Sequence, residues 1–129
     1  MDTSAFAAIT AGKYVSLTTF RKDGTPVATP VWFALDGETV VVQTPAHTGK
    51  LKRLRRDPAV ELARCDVRGR IRPGEPVATG TASIVADRSD AERLLGLLRE
   101  RYGLVYRLAN AVIGGRPGEP DVLLRIELG

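Results

Sequence analysis

The chain has 129 residues, of which 43% are hydrophobic and 26% are charged, and its formal net charge is +4. These values are typical of one globular domain of ordinary composition. No apolar run approaches the roughly 20 residues that span a bilayer, and the N-terminus lacks the basic and long apolar regions of a signal peptide. We therefore expect a single cytoplasmic domain over residues 1–129.

The cysteine and histidine content excludes two further classes of protein. The single cysteine, Cys65, cannot form an internal disulfide and fits a reducing cytosol. With one histidine as well, a dedicated zinc site is not expected. The positive charge suits an anionic ligand or nucleic acid. However, the three Phe, three Tyr and one Trp are scattered, whereas single-stranded nucleic acid is bound by clustered aromatic residues.

The first half of the chain predicts a short helix followed by hairpin-linked strands. A helix is expected over residues 3–11, and alternating patterns predict strands over 13–20 and 26–35. The sequence Asp23-Gly24 between the two strands favours a tight hairpin turn. A second hairpin at Asp36-Gly37 leads to an apolar strand, 40–42, that ends in Gln43 and Thr44.

Pro30 lies inside the second predicted strand and has two interpretations. Proline cannot donate a hydrogen bond to a sheet, so it marks either a sheet edge or a bulge. Bulges recur beside binding sites. Trp32 on the same strand is more typical of a core or an interface than of a ligand-stacking residue.

The second half predicts a mixture of strands and helices. A strand over 59–66 is followed by a basic loop over 67–75, whose charges serve solubility or form a lid. A strand over 77–86 carries small residues on one face, which permits close approach of another backbone or subunit. Ser89 to Glu92 matches a capping box for a helix that Gly103 ends. A further helical turn or two over 104–113, a loop over 114–120 and a strand over 122–128 complete the chain.

The segment from Gln43 to Pro58 carries the main functional signal. Thr48 is a candidate N-cap whose hydroxyl can accept a backbone N–H, and Lys50 and Lys52 then fall in the first helical turn. That end of a helix carries partial positive charge and normally favours acidic residues. Free N–H groups, a hydroxyl and two ammonium groups predict an anion site, most simply for phosphate. The alternative is a solvated basic face with no ligand.

Hairpin connections imply antiparallel pairing, and the pattern contains about six strands. One short helix crosses between the third and fourth strands. The sequence therefore predicts a mainly β fold, a small six-stranded antiparallel barrel with flanking helices.

Several motifs in this order resemble a known family. They are the Lys-Asp-Gly-Thr-Pro hairpin, the Thr-Pro-Val-Trp-Phe strand, Val-Val-Val-Gln-Thr, the basic helix that ends in Arg-Arg-Asp-Pro, and the following strand VELARCDVRGR. Together they resemble the flavin and deazaflavin oxidoreductases related to pyridoxamine 5′-phosphate oxidase. More narrowly, they resemble the small actinobacterial members that use coenzyme F420.

This resemblance implies a split β-barrel and a homodimer with the cofactor in a groove at the subunit interface. It places the cofactor phosphate on the turn and helix already described, and the ring beside the second strand and the end of the third. The cofactor-binding residues that it implies are Thr29, Pro30, Val31, Gln43, Thr44, Thr48, Gly49, Lys50 and Lys52.

One departure from the family pattern bears on the cofactor. Flavin oxidases of this family carry an arginine on the second strand that helps to hold the flavin phosphate, whereas here the corresponding position, near Thr29, has none. We therefore expect coenzyme F420 rather than flavin mononucleotide (FMN). The anionic tail of F420 would suit the additional cations Lys52, Arg53 and Arg56.

The expected activity is hydride transfer from the reduced deazaflavin to an unsaturated organic substrate such as an enone, a quinone or a tetrapyrrole. The alternatives are a protein that binds or sequesters F420 or FMN without rapid turnover, and a nucleic-acid-binding β-barrel. Paired carboxylates and a Ser-His-Asp set are absent, so no catalytic residue is assigned. Tyr14, Tyr102, Tyr106 and His47 are candidate proton donors.

Overall fold

A computed structural model describes residues 3–46, 48–113 and 121–129. The elements, in chain order, are α1 (Thr3–Ile9), β1 (Tyr14–Phe20), β2 (Pro26–Asp36), β3 (Thr39–Pro45), α2 (Gly49–Arg56), β4 (Ala59–Cys65), β5 (Val77–Ile84), α3 (Arg88–Ile113) and β6 (Asp121–Leu128). Every strand predicted from the sequence is present, and no end differs by more than three residues. The predicted loop over 114–120 lies outside the described residues.

The six strands form a closed antiparallel barrel in the order β1-β2-β3-β6-β5-β4. Tight turns join β1 to β2 and β2 to β3. Gly24 and Gly37 occupy these turns with positive φ values of 89° and 63°, which explains why glycine stands at both positions. The predicted six-stranded barrel is therefore confirmed.

Alternation along each strand separates an interior face from an exterior face. The interior is filled by branched aliphatic side chains and by Phe33, and Leu51 and Leu54 of α2 join it from one end. A second, smaller cluster lies outside the barrel, where α3 covers Ala34, Val41 and Leu123. Trp32 packs against this outer cluster, so its predicted role in a core or interface is confirmed.

The pairing between β2 and β3 is incomplete. It runs from Phe33↔Val42 to Asp36↔Thr39, whereas β1 pairs with β2 along its whole length, from Tyr14↔Trp32 to Phe20↔Pro26. Beyond Val42, strand β3 continues against β6 alone. The half of β2 that contains Pro30 therefore has a ladder on one side only, which is where a proline is tolerated.

Helix α3 confirms the predicted break at Gly103. The backbone there has φ 55° and ψ −128°, a conformation that L-residues with side chains rarely adopt. The predicted capping box is wrong by two residues. Helix α3 begins at Arg88, and Asp87 accepts the backbone N–H of Asp90 at 3.0 Å, as an N-cap does.

The small residues of β5 serve the barrel itself. Ala82 is buried in the core, and Ala78 packs against it. A Cβ atom at Gly80 would lie 2.5 Å from the carbonyl oxygen of Glu127 on β6. Glycine therefore lets two neighbouring backbones approach closely, which confirms the predicted close approach of another backbone.

Candidate functional site

The candidate site lies where β3 ends and α2 begins. Thr44 is the last interior-facing residue of β3 and is only 1% exposed. Its Oγ1 lies 3.3 Å from Oγ1 of Thr48, the residue that precedes α2. Because the Thr48 hydroxyl donates its proton to the carbonyl of Pro45 at 3.0 Å, the Thr44 hydroxyl is the donor between the two threonines. The two threonines that the resemblance implies for the site therefore lie together at one turn.

The predicted capping role of the Thr48 hydroxyl is wrong. Thr48 occupies the N-cap position with extended backbone angles, φ −73° and ψ 149°, but its side chain accepts no hydrogen bond from the helix. The hydroxyl is turned back to Pro45 instead. The first turn of α2 also contains no acidic residue. The N–H groups of this turn are therefore left for another acceptor, which is the condition under which a helix start binds an anion.

Lys50 stands in this turn, where its surroundings disfavour its charge. Burial away from water and, secondarily, the nearby Arg53 guanidinium lower the pKa of Lys50 from 10.5 to about 8. A partly buried ammonium beside another cation and at the positive end of a helix lacks compensation. A bound anion would supply it.

A buried hydroxyl on β2 also lacks a partner. Oγ1 of Thr29 is shielded from solvent and makes no hydrogen bond. Thr29 is opposite Leu17 of β1, so its side chain is on the interior face, in the half of β2 that has no β3 partner. Buried polar atoms are almost always bonded, and one without a partner points to a ligand or an ordered water.

The backbone of β2 next to Pro30 faces the side that lacks a ladder. Tyr102 Oη lies 3.0 Å from the N and 2.9 Å from the O of Phe33, and 2.8 Å from the O of Lys13, just before β1. The polar groups of Phe33 therefore point toward β1. Backbone N–H and C=O groups point to alternate sides along a strand. The carbonyl of Pro30 therefore points toward the side without β3, whereas the N–H and carbonyl of Val31 point toward β1.

The structure separates Gln43 from the threonine pair. Gln43 pairs with Leu123 and lies on the exterior face, where its amide donates to Asp121 Oδ2 at 2.5 Å. Only the backbone of Gln43 is therefore at the mouth between β2 and β3. Lys52 and Gly49 are exposed on α2, next to the helix start.

Two arginines of α2 anchor the helix to the barrel. Arg53 Nε donates to Oγ1 of the buried Thr19 at 2.6 Å, and Arg56 donates to the carbonyl of Phe20 at 2.6 Å. The sequence suggested both cations for a cofactor tail and gave no sign of this anchoring role. No sequence signal could have shown it, because Thr19 and Arg53 are 34 residues apart.

The candidate proton donors differ in their surroundings. The Tyr102 hydroxyl is fully occupied, since it bonds to the backbone of Lys13 and Phe33. Tyr14 lies on the exterior face of β1, 6.5 Å from the ring of Trp32. His47 and the side chain of Tyr106 lie outside the described part of the chain.

Cys65 is not an activated nucleophile. It is a free and buried cysteine, and burial together with the neighbouring Asp66 carboxylate raises the pKa of its thiol. A thiolate is thus disfavoured at this position. Within residues 3–46, 48–113 and 121–129, no group of three or more His, Cys, Asp or Glu residues could hold a metal ion. Likewise, no described helix is long and apolar enough to cross a membrane.

These features fit a flavin-type cofactor. The open N–H groups of α2, the hydroxyls of Thr44 and Thr48, and Lys50 offer donors for a phosphate. The unpaired side of β2 and the buried Oγ1 of Thr29 offer polar contacts to a ring edge. The donors thus form two groups, one whose chemistry suits an anion and one whose chemistry suits the edge of a flat polar heterocycle.

Comparison with known proteins agrees with this description. An F420 reductase is 27% identical, with a TM-score of 0.57 over 90% of this chain and 86% of that protein. A FAD-binding protein of Mesorhizobium loti has a TM-score of 0.70 at 16% identity, over all of this chain and 91% of that one. A heme storage protein of Vibrio cholerae has a TM-score of 0.68 at 16% identity, over 95% and 85% of the two chains.

The two neighbours at 16% identity show a shared fold and no more. Among proteins of curated function, none is significantly similar in sequence. The sequence profile of the pyridoxamine 5′-phosphate oxidase family, in contrast, matches residues 1–127, which is nearly the whole chain. With the closed split barrel already described, this match shows that the chain belongs to the pyridoxamine 5′-phosphate oxidase family.

Proposed function

We propose that the protein is an F420-dependent oxidoreductase that reduces an unsaturated organic substrate of the enone, quinone or tetrapyrrole type. The observation that carries the proposal is the uncapped start of α2, which follows the Thr44–Thr48 hydroxyl pair and has Lys50 in its first turn. It comes directly after the part of β3 that does not pair with β2. These residues would hold the cofactor phosphate. The exposed Lys52 would assist by attracting the anionic tail.

The second strand would orient the ring of the cofactor. Its unpaired side presents the backbone of Pro30, and Oγ1 of Thr29 is buried there without a partner. The neighbouring residue Val31 is only 8% exposed and would form part of an apolar wall that excludes water. The backbone of Gln43 would meet the ring from the other side of the opening.

When bound, the reduced deazaflavin supplies the hydride, and the protein supplies orientation and a site with little water. Tyr102 is excluded as the proton donor because its hydroxyl maintains the contact between α3 and the barrel. Thr44, Thr48 and Lys50 are assigned to binding because they would face the phosphate of the cofactor rather than its ring.

The choice of F420 over FMN is supported by two observations. Position 29 and its neighbours on β2 carry no arginine that could hold a flavin phosphate. The sequence of this chain is also more similar to the F420 reductase, at 27% identity, than to the FAD-binding protein, at 16% identity. The second candidate function is binding or sequestering of F420 or FMN without rapid turnover, and the same site geometry favours it equally.

We also propose a homodimer with the cofactor at the subunit interface. Among the residues whose burial the structure describes, three large hydrophobic side chains are exposed, and they are close in sequence, between the end of β4 and the start of β5: Val67 at 61% exposure, Ile71 at 44% and Val77 at 59%. A second copy of the chain would cover the two most exposed of them, Val67 and Val77. Sedimentation of purified protein tests this, and a monomer in the presence of cofactor would exclude it.

Binding assays separate the candidate functions. Purified protein is titrated with F420, FMN and single-stranded DNA, and we expect F420 to bind most tightly. Lys50→Ala should weaken F420 binding about tenfold or more, because a charge-assisted hydrogen bond is lost. Lys22→Ala, which removes an exposed cation from the β1–β2 turn, is the matched control and should bind F420 normally.

A failure of F420 to bind, or equal binding by wild type and Lys50→Ala, would overturn the proposal. Steeply salt-dependent binding to DNA would support a nucleic-acid-binding barrel instead. Oxidation of the reduced cofactor on addition of quinones or enones selects the reductase. Tight binding without such oxidation selects the sequestering protein.

A further inference from the structure

A cavity lined by basic residues is located away from the candidate cofactor site at the start of α2. It has a volume of about 510 Å³ and is located where β1 begins and β4 ends, under the loop between β4 and β5. Its lining shares no residue with the candidate cofactor site. The volume is within the range of about 300–1,000 Å³ that is usual for small-molecule sites.

Four cations line this cavity, namely Lys13, Arg64, Arg70 and Arg72. Across the described residues, none of their side chains forms an ion pair or a hydrogen bond with the protein. This contrasts with Arg53, Arg93 and Arg125, which all have such partners. Unpaired guanidinium groups around a cavity suit planar anions, which they bind in bidentate fashion.

The two acids of the lining, Asp66 and Glu75, offset the charge of the four cations only in part, and Asp66 attracts Arg70 electrostatically. Asp66 uses Oδ1 to accept the backbone N–H groups of Arg68 and Arg70, each at 2.9 Å. Both bonds lower the pKa of the Asp66 carboxyl, and the bond from Arg70 has the larger effect. The carboxylate thereby holds the loop in its turn, and Glu75 is the other acid in the lining.

Part of the cavity wall is apolar. Ile71 is 44% exposed and lines the cavity with Pro73 and Cys65. An inorganic anion would leave this apolar surface in water. An organic molecule with an apolar body and carboxylate groups would contact both kinds of wall.

The loop that lines the cavity also contacts the proposed ring site. A Cβ atom at Gly69 would lie 3.4 Å from Cδ of Pro30, so the loop backbone rests on the proline ring of β2. Gly12 leaves room for the side chain of Arg64, since a Cβ at position 12 would lie 2.9 Å from Nε of Arg64. The carbonyl of Gly12 is held by Arg101 at 2.7 Å. The loop that lines the cavity is thus also in contact with Pro30 of β2.

We propose that this cavity binds the carboxylate groups of an organic anion, and that this anion is the substrate to be reduced. The assignment of this anion as the substrate rests on the proposed function. In that reaction the double bond of the acceptor gains one hydride and one solvent proton, and the reduced deazaflavin is oxidised by two electrons. Arg64 and Arg70 are then specificity-determining residues that hold the acceptor and take no part in the transfer.

The first test measures binding to the full chain without cofactor. Terephthalate and its neutral analogue terephthalamide are compared by calorimetry, and we expect terephthalate to bind about tenfold more tightly. Arg64→Gln and Arg70→Gln should each weaken terephthalate binding about tenfold and leave terephthalamide unchanged. Arg88→Gln is the control, since the Arg88 side chain is 95% exposed on α3. Equal binding of the two compounds, or unchanged binding in both cavity variants, would overturn the site.

The second test concerns the substrate. With reduced F420, Arg64→Gln should raise KM for a carboxylated benzoquinone about tenfold, with kcat and the KM for plain benzoquinone unchanged. An unchanged KM for the carboxylated quinone would overturn the substrate assignment. The cavity variants should bind F420 as wild type does. If wild type binds terephthalate but not F420, the proposed function fails while the anion site stands.

Discussion

Helices α3 and α2 pack on the same barrel, but the charges at their N-terminal ends differ in whether they have partners. At the start of α3, every charge that faces the barrel is paired. Asp90 accepts from Arg125 at 2.7 Å and from Arg93 at 2.9 Å, and Arg93 also donates to Asp36 at 3.0 Å. These contacts connect the helix to β2 and β6.

Helix α2 is also held by arginines, but only toward its C-terminal end. At its start, no side chain caps the helix, and Lys50 lies in partly buried surroundings that lower its pKa to about 8. The hydroxyl of Thr29, in the half of β2 that has no β3 partner, is also buried without a partner. Polar groups at the start of α2 and on β2 therefore lack protein partners, whereas the charged groups at the start of α3 have them.

The difference separates stability from binding. A paired charge contributes to folding whether or not a ligand is present, whereas an unpaired buried donor costs free energy until a ligand accepts from it. We therefore expect changes at α3 to alter stability alone. Changes at Lys50, in the first turn of α2, should alter ligand affinity and leave stability equal or higher.

The largest expected effect is on the α3 side, in Tyr102→Ala. This change removes the hydroxyl that bonds to Phe33 and Lys13, and a ring stacked 4.4 Å from that of Trp32. We expect the free energy of unfolding to fall by about 3 kcal/mol, measured by urea denaturation. Tyr102→Phe, which keeps the ring, should lose about 1 kcal/mol. F420 affinity of the folded fraction should not change, and a large loss of affinity would contradict the separation.

The second effect is a pH dependence that belongs to Lys50. Its pKa is about 8 in the folded chain against 10.5 for an ordinary lysine, so the unfolded chain binds more protons between these values. Stability should therefore rise as the pH rises from about 8 to about 10.5. Anion affinity should fall over the same range, because the ammonium is lost.

Lys50→Met is the control for this pH dependence. It keeps an aliphatic side chain of similar length but removes the titrating amine. The difference between wild type and variant, in urea midpoints and in F420 affinity, isolates Lys50 from other groups that titrate in this range. Parallel pH profiles for the two proteins would show that Lys50 is not the group responsible.

The smallest effect concerns the hydroxyl of Thr29. Thr29→Val removes a buried, unbonded polar atom, so we expect the cofactor-free protein to gain about 1 kcal/mol of stability. F420 affinity should fall by about threefold, since a weak polar contact is lost. Thr19→Val is the matched control. It removes a hydroxyl that Arg53 uses and should destabilise the protein by about 1 kcal/mol. Loss of stability in Thr29→Val would show that this hydroxyl has a partner.

Sequence reasoning was most reliable where neighbouring residues decide the conformation. Alternating patterns located the strands, Asp-Gly pairs located two hairpins, and Gly103 marked the break in α3. It failed where two conformations are locally similar in free energy. Both Asp87 and Ser89 can cap a helix, and the structure selects Asp87.

For the candidate site, the sequence by itself determined the basic helix start and the threonines that accompany it, because Thr44, Thr48 and Lys50 lie within one short segment. Only the tertiary structure decided which cations have partners and which do not. Arg53 meets Thr19, Gln43 turns away from Thr44, and Lys13 meets Arg64 around a cavity. The physical reason is that pairing and burial of a charge depend on residues brought together by closure of the barrel, and separation along the chain contains no record of them.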